Sequence, residues 1–240
     1  MSVSINTAVF LDDLQNGTSQ SECVDRLIGK PISSVEVRGE FFQPKTRDQE
    51  LAHISQVCAE QGWDLRYSIP EELFDGEQIN ANLTDYLQLA SKYHLNGLKI
   101  SLGNPILSQS QLQELKKQLA AANCQVTIEN QPNANGTLSK IVKAVQLLYD
   151  AVPALGYTFD AGNWAWVDVD TAAALQKLLT YITIFHLKQI KNHDTILLNK
   201  TQNWPSMLQQ LDAKVPVVLE YAIPAAQLDE QIELVNAVLK

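Results

Sequence analysis

Four ionisable residues stand where short apolar runs end. Glu129 closes Gln-Val-Thr-Ile-Glu129-Asn130, and Asp160 closes Gly-Tyr-Thr-Phe-Asp160. His186 follows Ile-Thr-Ile-Phe, and Glu220 closes Val-Pro-Val-Val-Leu-Glu220. Each alone has an ordinary reading: a strand-end salt bridge for Glu129 or Glu220, an Asx turn for Asp160, a core histidine bonded to backbone for His186. Their recurrence on four successive runs favours one shared site. Three carboxylates gathered together repel one another and raise one another's pKa, a conflict that a divalent cation removes. Three oxygen ligands and one imidazole suit Mn²⁺, Mg²⁺ or Co²⁺, with Zn²⁺ also admissible. The expected metal ligands are therefore Glu129, Asp160, His186 and Glu220.

A second tier of polar residues lies on or beside similar runs. Lys99 sits inside Gly-Leu-Lys-Ile-Ser-Leu, where an unpaired ammonium would be costly, so it is expected to pair with a site carboxylate or bind a substrate oxygen. Lys188 shares a strand face with His186. Glu36 and Arg38 also share one face, and are expected either to pair with each other or to reach substrate. Trp164 and Trp166 follow Asp160 and offer an apolar wall for a bound molecule, with core packing as the alternative. His53 and His94 read as surface residues, and His193, with Lys191 and Lys200, as part of a solvated loop after the seventh run.

The elements that must carry these residues alternate between strand-like and helix-like runs. Strand candidates are 5–11, 34–39, 65–69, 97–102, 125–130, 156–160, 182–188 and 215–221, each rich in β-branched or aromatic residues. Amphipathic segments lie between them, with Leu51, Ile54 and Val57, then Leu112, Leu115 and Leu119, then Ile141, Val145 and Leu148 at helical spacing. Ser108 is placed as an N-cap. Marking a polar residue near seven run ends (Arg38, Tyr67, Lys99, Glu129, Asp160, His186, Glu220) leaves gaps of 29, 32, 30, 31, 26 and 34 residues. Strict alternation at this spacing implies parallel strands with right-handed crossovers, and eight units imply a closed (β/α)₈ TIM barrel, α/β in class. No interior linker or low-complexity tract interrupts residues 1–240, so a single domain is expected. Catalytic groups in such a barrel sit at the C-terminal ends of the strands.

Composition narrows the function. The chain has 240 residues, 45% of them hydrophobic, enough for a substantial core, and a formal charge of −9 that opposes nucleic acid and anionic membrane surfaces. No GxGxxG or P-loop pattern follows a strand, against a nucleotide-binding sheet. Cys23, Cys58 and Cys124 are odd in number and form no CxxC pair, so they read as small hydrophobes rather than disulfide or zinc–thiolate residues. The N-terminal residues lack the pattern of a secretory signal, and no apolar run is long enough to span a membrane; the expectation is a soluble, cytoplasmic protein, with homo-oligomerisation left open.

The ordered set Val-Glu36-Val-Arg38, Ile-Glu129-Asn130, Phe-Asp160-Ala-Gly-Asn163, His186-Leu-Lys188 and Leu-Glu220-Tyr resembles the xylose isomerase-like barrels, which include sugar isomerases and ketose epimerases. The resemblance spans essentially the whole chain. It implies that Glu129, Asp160, His186 and Glu220 hold one metal and that Glu129 and Glu220 also move protons. The implied partner is a small carbohydrate or sugar phosphate, touched by Arg38, Lys99, Asn163, Lys188 and Trp164. Its carbonyl would be polarised by the metal, and the enediolate formed on loss of the α-proton stabilised. His186 would bind through one nitrogen, its tautomer set by an acceptor behind it. Many ketose epimerases have a substrate-contacting His three residues after the strand-six Asp; Asn163 takes that place and can donate a hydrogen bond but cannot carry a proton. Three other readings compete. A Schiff-base lyase or dehydratase would use Lys99, since Val-Glu36-Val-Arg38 also resembles type I dehydroquinate dehydratases. A non-catalytic sugar-binding barrel would retain the metal ligands. The endonuclease branch of the same fold needs more histidines than the four present.

Overall fold

The computed structural model describes residues 2–239. Eight parallel strands form the barrel: β1 (Ser4–Asn6), β2 (Ser34–Arg38), β3 (Asp64–Gly76), β4 (Gly97–Pro105), β5 (Gln125–Glu129), β6 (Leu155–Asp160), β7 (Ile182–Leu187) and β8 (Val217–Leu219). Each pairs with its sequence neighbours, and β1 pairs with β8 through Ser4↔Val218 and Ile5↔Leu219, so the sheet closes. Nine helices accompany the strands among the described residues: α1 (Leu11–Gln15), α2 (Gln20–Asp25), α3 (Arg47–Gln61), α4 (Leu83–Lys92), α5 (Gln109–Ala120), α6 (Leu138–Ala151), α7 (Thr171–Leu178), α8 (Trp204–Leu208) and α9 (Leu228–Asn236). This is the single-domain TIM barrel that the spacing implied. No helix among the described residues is long and apolar enough to cross a membrane.

The two-residue period of the strands divides the polar from the apolar side chains. Val35 and Val37, Leu98 and Ile100, Val126 and Ile128, Phe159, Phe185 and Leu187, and Val217 and Leu219 join one buried cluster with the helices. Its helical half includes Leu51, Ile54 and Val57 of α3, Leu112, Leu115 and Leu119 of α5, and Ile141, Val145 and Leu148 of α6, the stripes expected from sequence. The alternate positions point into the barrel and are largely polar: Asn6, Glu36, Lys99, Thr127, Glu129, Thr158, Asp160 and His186 are all buried. An apolar core outside the sheet therefore holds rigid a charged interior that could not form a core itself.

Several boundaries differ from the sequence reading. The first strand is only Ser4–Asn6, followed by a 3₁₀ turn at Thr7–Phe10 and then α1. The Asn6 side chain accepts a hydrogen bond from the Ala8 amide at 2.8 Å, and this cap turns the chain despite the apolar residues that follow. β3 and β4 run past their neighbours, with Gln78–Ile79 added antiparallel to β3. Tyr67, used as a spacing mark, faces away from the interior. It pairs with Val37 and Leu98 in register and stacks on Phe42 at 5.9 Å, while Ser68 shares the face of Arg38 and Lys99. The loop after β7 folds into a hairpin, Gln189–Lys191 with Asp194–Ile196, its tip residues Asn192 and His193 at positive φ. Ser108 caps α5 as expected, accepting from the Gln111 amide. Cys23 and Cys58 are buried and Cys124 half-buried, all three free thiols.

Candidate active site

The ends of β5 to β8 bring Glu129, Asp160, His186 and Glu220 together. One candidate ligand atom from each lies within 4.8 Å of all the others, and all four residues are buried. Strand register explains the meeting: Asp160 pairs with His186 and His186 with Val218, so the inward side chains share a level. Above them opens a cavity of about 470 Å³, whose lining includes Arg38, Lys99, Glu129, Asn163, Lys188 and Glu220.

Asp160 does two jobs at once. Its Oδ1 accepts from the amides of Gly162 (2.9 Å) and Asn163 (2.8 Å), the Asx turn that its type suggested, and this leaves Oδ2 for the interior. Asn130 braces the same corner: its Oδ1 accepts from the Asp160 amide (2.9 Å) and from the Tyr157 hydroxyl (3.0 Å), and its Nδ2 donates to the Asp160 carbonyl (3.0 Å). Asn163 donates through Nδ2 to the Asn130 carbonyl at 2.9 Å, so its side chain is fixed at the cavity wall.

The charges interlock. Lys99 Nζ lies 2.9 Å from Glu129 Oε1, 3.1 Å from Glu220 Oε1 and 3.8 Å from Glu36 Oε1. Lys188 Nζ lies 2.7 Å from Asp160 Oδ2 and 3.1 Å from Glu220 Oε2. Glu36 does not pair with Arg38. It accepts from Asn6 Nδ2 at 2.6 Å and lies 3.5 Å from His186 Nε2, whereas Arg38 reaches Glu40 at 2.6 Å and Glu220 at 3.3 Å. The opposite ring atom, His186 Nδ1, faces Glu129 (3.3 Å) and Glu220 (3.1 Å).

Ionisation follows from these contacts. Burial alone would raise Glu36, but His186 and Lys99 carry it down to about 2. Burial likewise opposes the ionised forms of Glu129 and Glu220, and the ammonium groups win: Lys99 brings Glu129 below the usual range, and Lys188 with Lys99 brings Glu220 well below it. Asp160 goes the other way, pushed up to about 7 by burial, with Lys188 pulling down and Glu220 and Glu129 pushing up. Burial opposes the charged form of His186, yet Glu36 and Glu220 raise it well above the ordinary imidazole value.

The residues fit a hard divalent cation. The donor set is three carboxylates and one imidazole, which favours such an ion. Neither ring nitrogen of His186 completes a hydrogen bond, although both are buried, and Asp160 Oδ2 has only the ammonium of Lys188. Unsatisfied buried polar atoms are rare and costly, and a cation among these residues would satisfy His186 Nδ1 and take Asp160 Oδ2 as a further ligand. Glu36 is then the acceptor behind the imidazole, on the side away from the cage.

Trp164 is placed differently from the expected sugar wall. It is fully buried, 5.8 Å from the Phe159 ring, in the apolar core. Trp166 is exposed and lies beside His193. Sequence reasoning gave Asn6 and Asn130 no role; Asn130 was marked only by following Glu129 at a run's end, and Asn6 lies inside the run read as the first strand.

No protein-family model and no curated protein matches the chain by sequence. Solved structures do match in fold. A xylose isomerase domain containing protein from Salmonella typhimurium LT2 aligns with a TM-score of 0.71 at 16% identity, over 100% of this chain and 97% of that one. The 3-keto-D-glucoside 4-epimerase YcjR of E. coli aligns at 0.69 and 13% identity, over 99% of each chain. The probable 3-DHS dehydratase AsbF of Bacillus anthracis aligns at 0.65 and 16% identity, over 98% of each. The chain thus has the fold of the xylose isomerase-like TIM barrels.

Proposed function

We propose that the chain is a divalent-metal-dependent isomerase or epimerase of a ketose or related carbohydrate, with Glu129 and Glu220 as its acid/base pair. The observation that carries this reading is the convergence of Glu129, Asp160, His186 and Glu220 beneath an open cavity. Those four would hold the metal, which when bound polarises a carbonyl and stabilises negative charge on its oxygen. The epimerase among the structures of like fold supports the carbohydrate class.

The chain's own groups then divide the work. Glu129 and Glu220 are ionised at neutral pH, the state in which a carboxylate accepts a proton. One takes the proton from the carbon beside the carbonyl, and the electron pair of the broken C–H bond moves towards the carbonyl oxygen. The other, once it has taken a proton from solvent or from a substrate hydroxyl, delivers it from its own side, which inverts the carbon, and the first glutamate then releases its proton to solvent. Lys99 touches both glutamates and places positive charge beside the developing oxyanion. Asn163, Arg38 and Lys188 line the cavity and would orient hydroxyl groups. Lys99 is held protonated by Glu129 and Glu220, which disfavours it as a Schiff-base nucleophile, since that role needs the free amine.

The test uses Glu129→Gln and Glu220→Gln at saturating Mn²⁺, with ketoses in deuterated water. Each variant should lose several orders of magnitude in turnover. The one that keeps the abstracting base should still exchange the substrate's α-proton. Near-normal turnover in both would overturn the mechanism. Release of water without isomerised sugar would instead assign the site to a dehydratase.

A further inference from the structure

The cavity above the four residues is built against anions. Its cations are all engaged: Arg38 by Glu40 and Glu220, Lys99 by Glu129 and Glu220, Lys188 by Asp160 and Glu220. Inside the barrel the carboxylates of Glu36, Glu129, Asp160 and Glu220 face Lys99, Lys188 and the imidazole of His186, and Glu220 also meets Arg38, whose charge Glu40 already answers. A divalent cation there would balance the carboxylates left over by the two lysines, with no positive surplus for an incoming dianion.

The mouth adds negative charge. The extended end of β3 carries Glu71, Glu72 and Asp75, with Glu77 just beyond, and the sequence has no Lys or Arg between Arg66 and Lys92. Glu71 and Glu72 line the cavity. Their partners are neutral: Tyr86, Asn80 and Asn82 donate to Glu71, and Gln131 donates to Glu72 at 3.0 Å. Among the described residues no cationic group pairs with either charge.

The loop after the last strand, part of the usual phosphate cradle of a barrel, also offers no positive charge. From Tyr221 to Gln227 the chain reads Tyr-Ala-Ile-Pro-Ala-Ala-Gln, with neither a cation nor a glycine. Its Ile223 amide is bonded to the Val9 carbonyl, its Gln227 amide to the Pro224 carbonyl, and Pro224 has no N–H. Lys191, His193 and Lys200 belong to the connection after β7, are exposed, and do not line the cavity.

We infer that the site takes an uncharged carbohydrate, a free ketose or glycoside, and rejects its phosphate or carboxylate counterpart, with Glu40, Glu71 and Glu72 setting that preference. The inference rests on the carbohydrate reading above. Calorimetry on the metal-loaded protein at low ionic strength tests it, with D-fructose and D-tagatose against their 6-phosphates. The free sugars should bind at least ten-fold more tightly, by a margin that shrinks as salt screens the mouth. A Glu40→Gln/Glu72→Gln variant should bind the phosphates more tightly than the parent does. Equal or tighter binding of the phosphates by the parent would overturn the inference and leave the carbohydrate reading standing. Binding of neither kind of sugar would overturn both.

Discussion

Lys99→Met tests whether the carboxylate cage needs an internal cation. Methionine keeps the length and apolar body of the side chain and removes an ammonium that sits 2.9 Å from Glu129 and 3.1 Å from Glu220. Removing one member of a buried ion pair typically costs about 3–5 kcal/mol. Here the loss has a ceiling, because the protein can protonate one glutamate instead. From the unperturbed Glu value that costs about 3.7 kcal/mol at pH 7 and about 1 kcal/mol at pH 5. For a chain of this size about 3–4 kcal/mol lowers Tm by roughly 6–16 °C. Thermal melts in EDTA should show that drop at pH 7 and a much smaller one at pH 5. The sign follows from the variant's stranded glutamate, whose folded pKa rises above the unfolded value, so the penalty is absent at low pH and grows as pH rises. Saturating Mn²⁺ should stabilise the variant more than the parent, since the ion supplies the missing charge. An EDTA melt of Lys99→Met within about 2 °C of the parent at pH 7 would refute the reasoning, being far below the shift that 3–4 kcal/mol implies.

Three further outcomes are expected. Mn²⁺ or Co²⁺ at about a hundred times its Kd should add about 2.7 kcal/mol to the stability of the EDTA-treated protein, a gain that Asp160→Asn/His186→Ala should lose; an unchanged gain in that double variant would move the metal elsewhere. Without metal, stability should fall as pH rises from about 5 to 8. Asp160, held near 7 when folded, costs stability once its unfolded form ionises near 4, and raised His186 contributes stability at low pH that fades above the unfolded imidazole value, so melts that improve over this range would contradict both assignments. Gly162→Ala would place a Cβ 2.3 Å from Lys188 Cγ and push that lysine off Asp160, at a cost of about 1–3 kcal/mol in melting experiments; a silent substitution would show that the Lys188–Asp160 contact is dispensable.

Much of the site was legible in the chain because a parallel barrel has a simple grammar. Strand–helix alternation near thirty residues per unit implied the closed sheet, and polar residues closing the apolar runs of β5 to β8 implied one cluster at its C-terminal end. Lys99 was marked by physics alone, since a lysine inside a buried strand must find a carboxylate, and it finds Glu129 and Glu220. What stayed hidden depended on phase and distance. In Leu-Arg-Tyr-Ser-Ile the alternation puts Tyr67 on the face of Leu65 and Ile69 and Ser68 on the other, and pairing with β2 and β4 then turned the Ser68 face towards the interior. Glu36 and Arg38 share a face, yet barrel closure brought Asn6 and His186 to Glu36, and Glu220 to Arg38. Trp164 follows Asp160 closely, but the 3₁₀ turn at Asn163–Val167 swings its ring into the apolar core. Sequence by itself determined which residue types end which strands, because the periodicity of burial is local. Tertiary structure decided which charges meet, because partners such as Asn6 and Glu220, far apart in the chain, are brought together only when the sheet closes on itself.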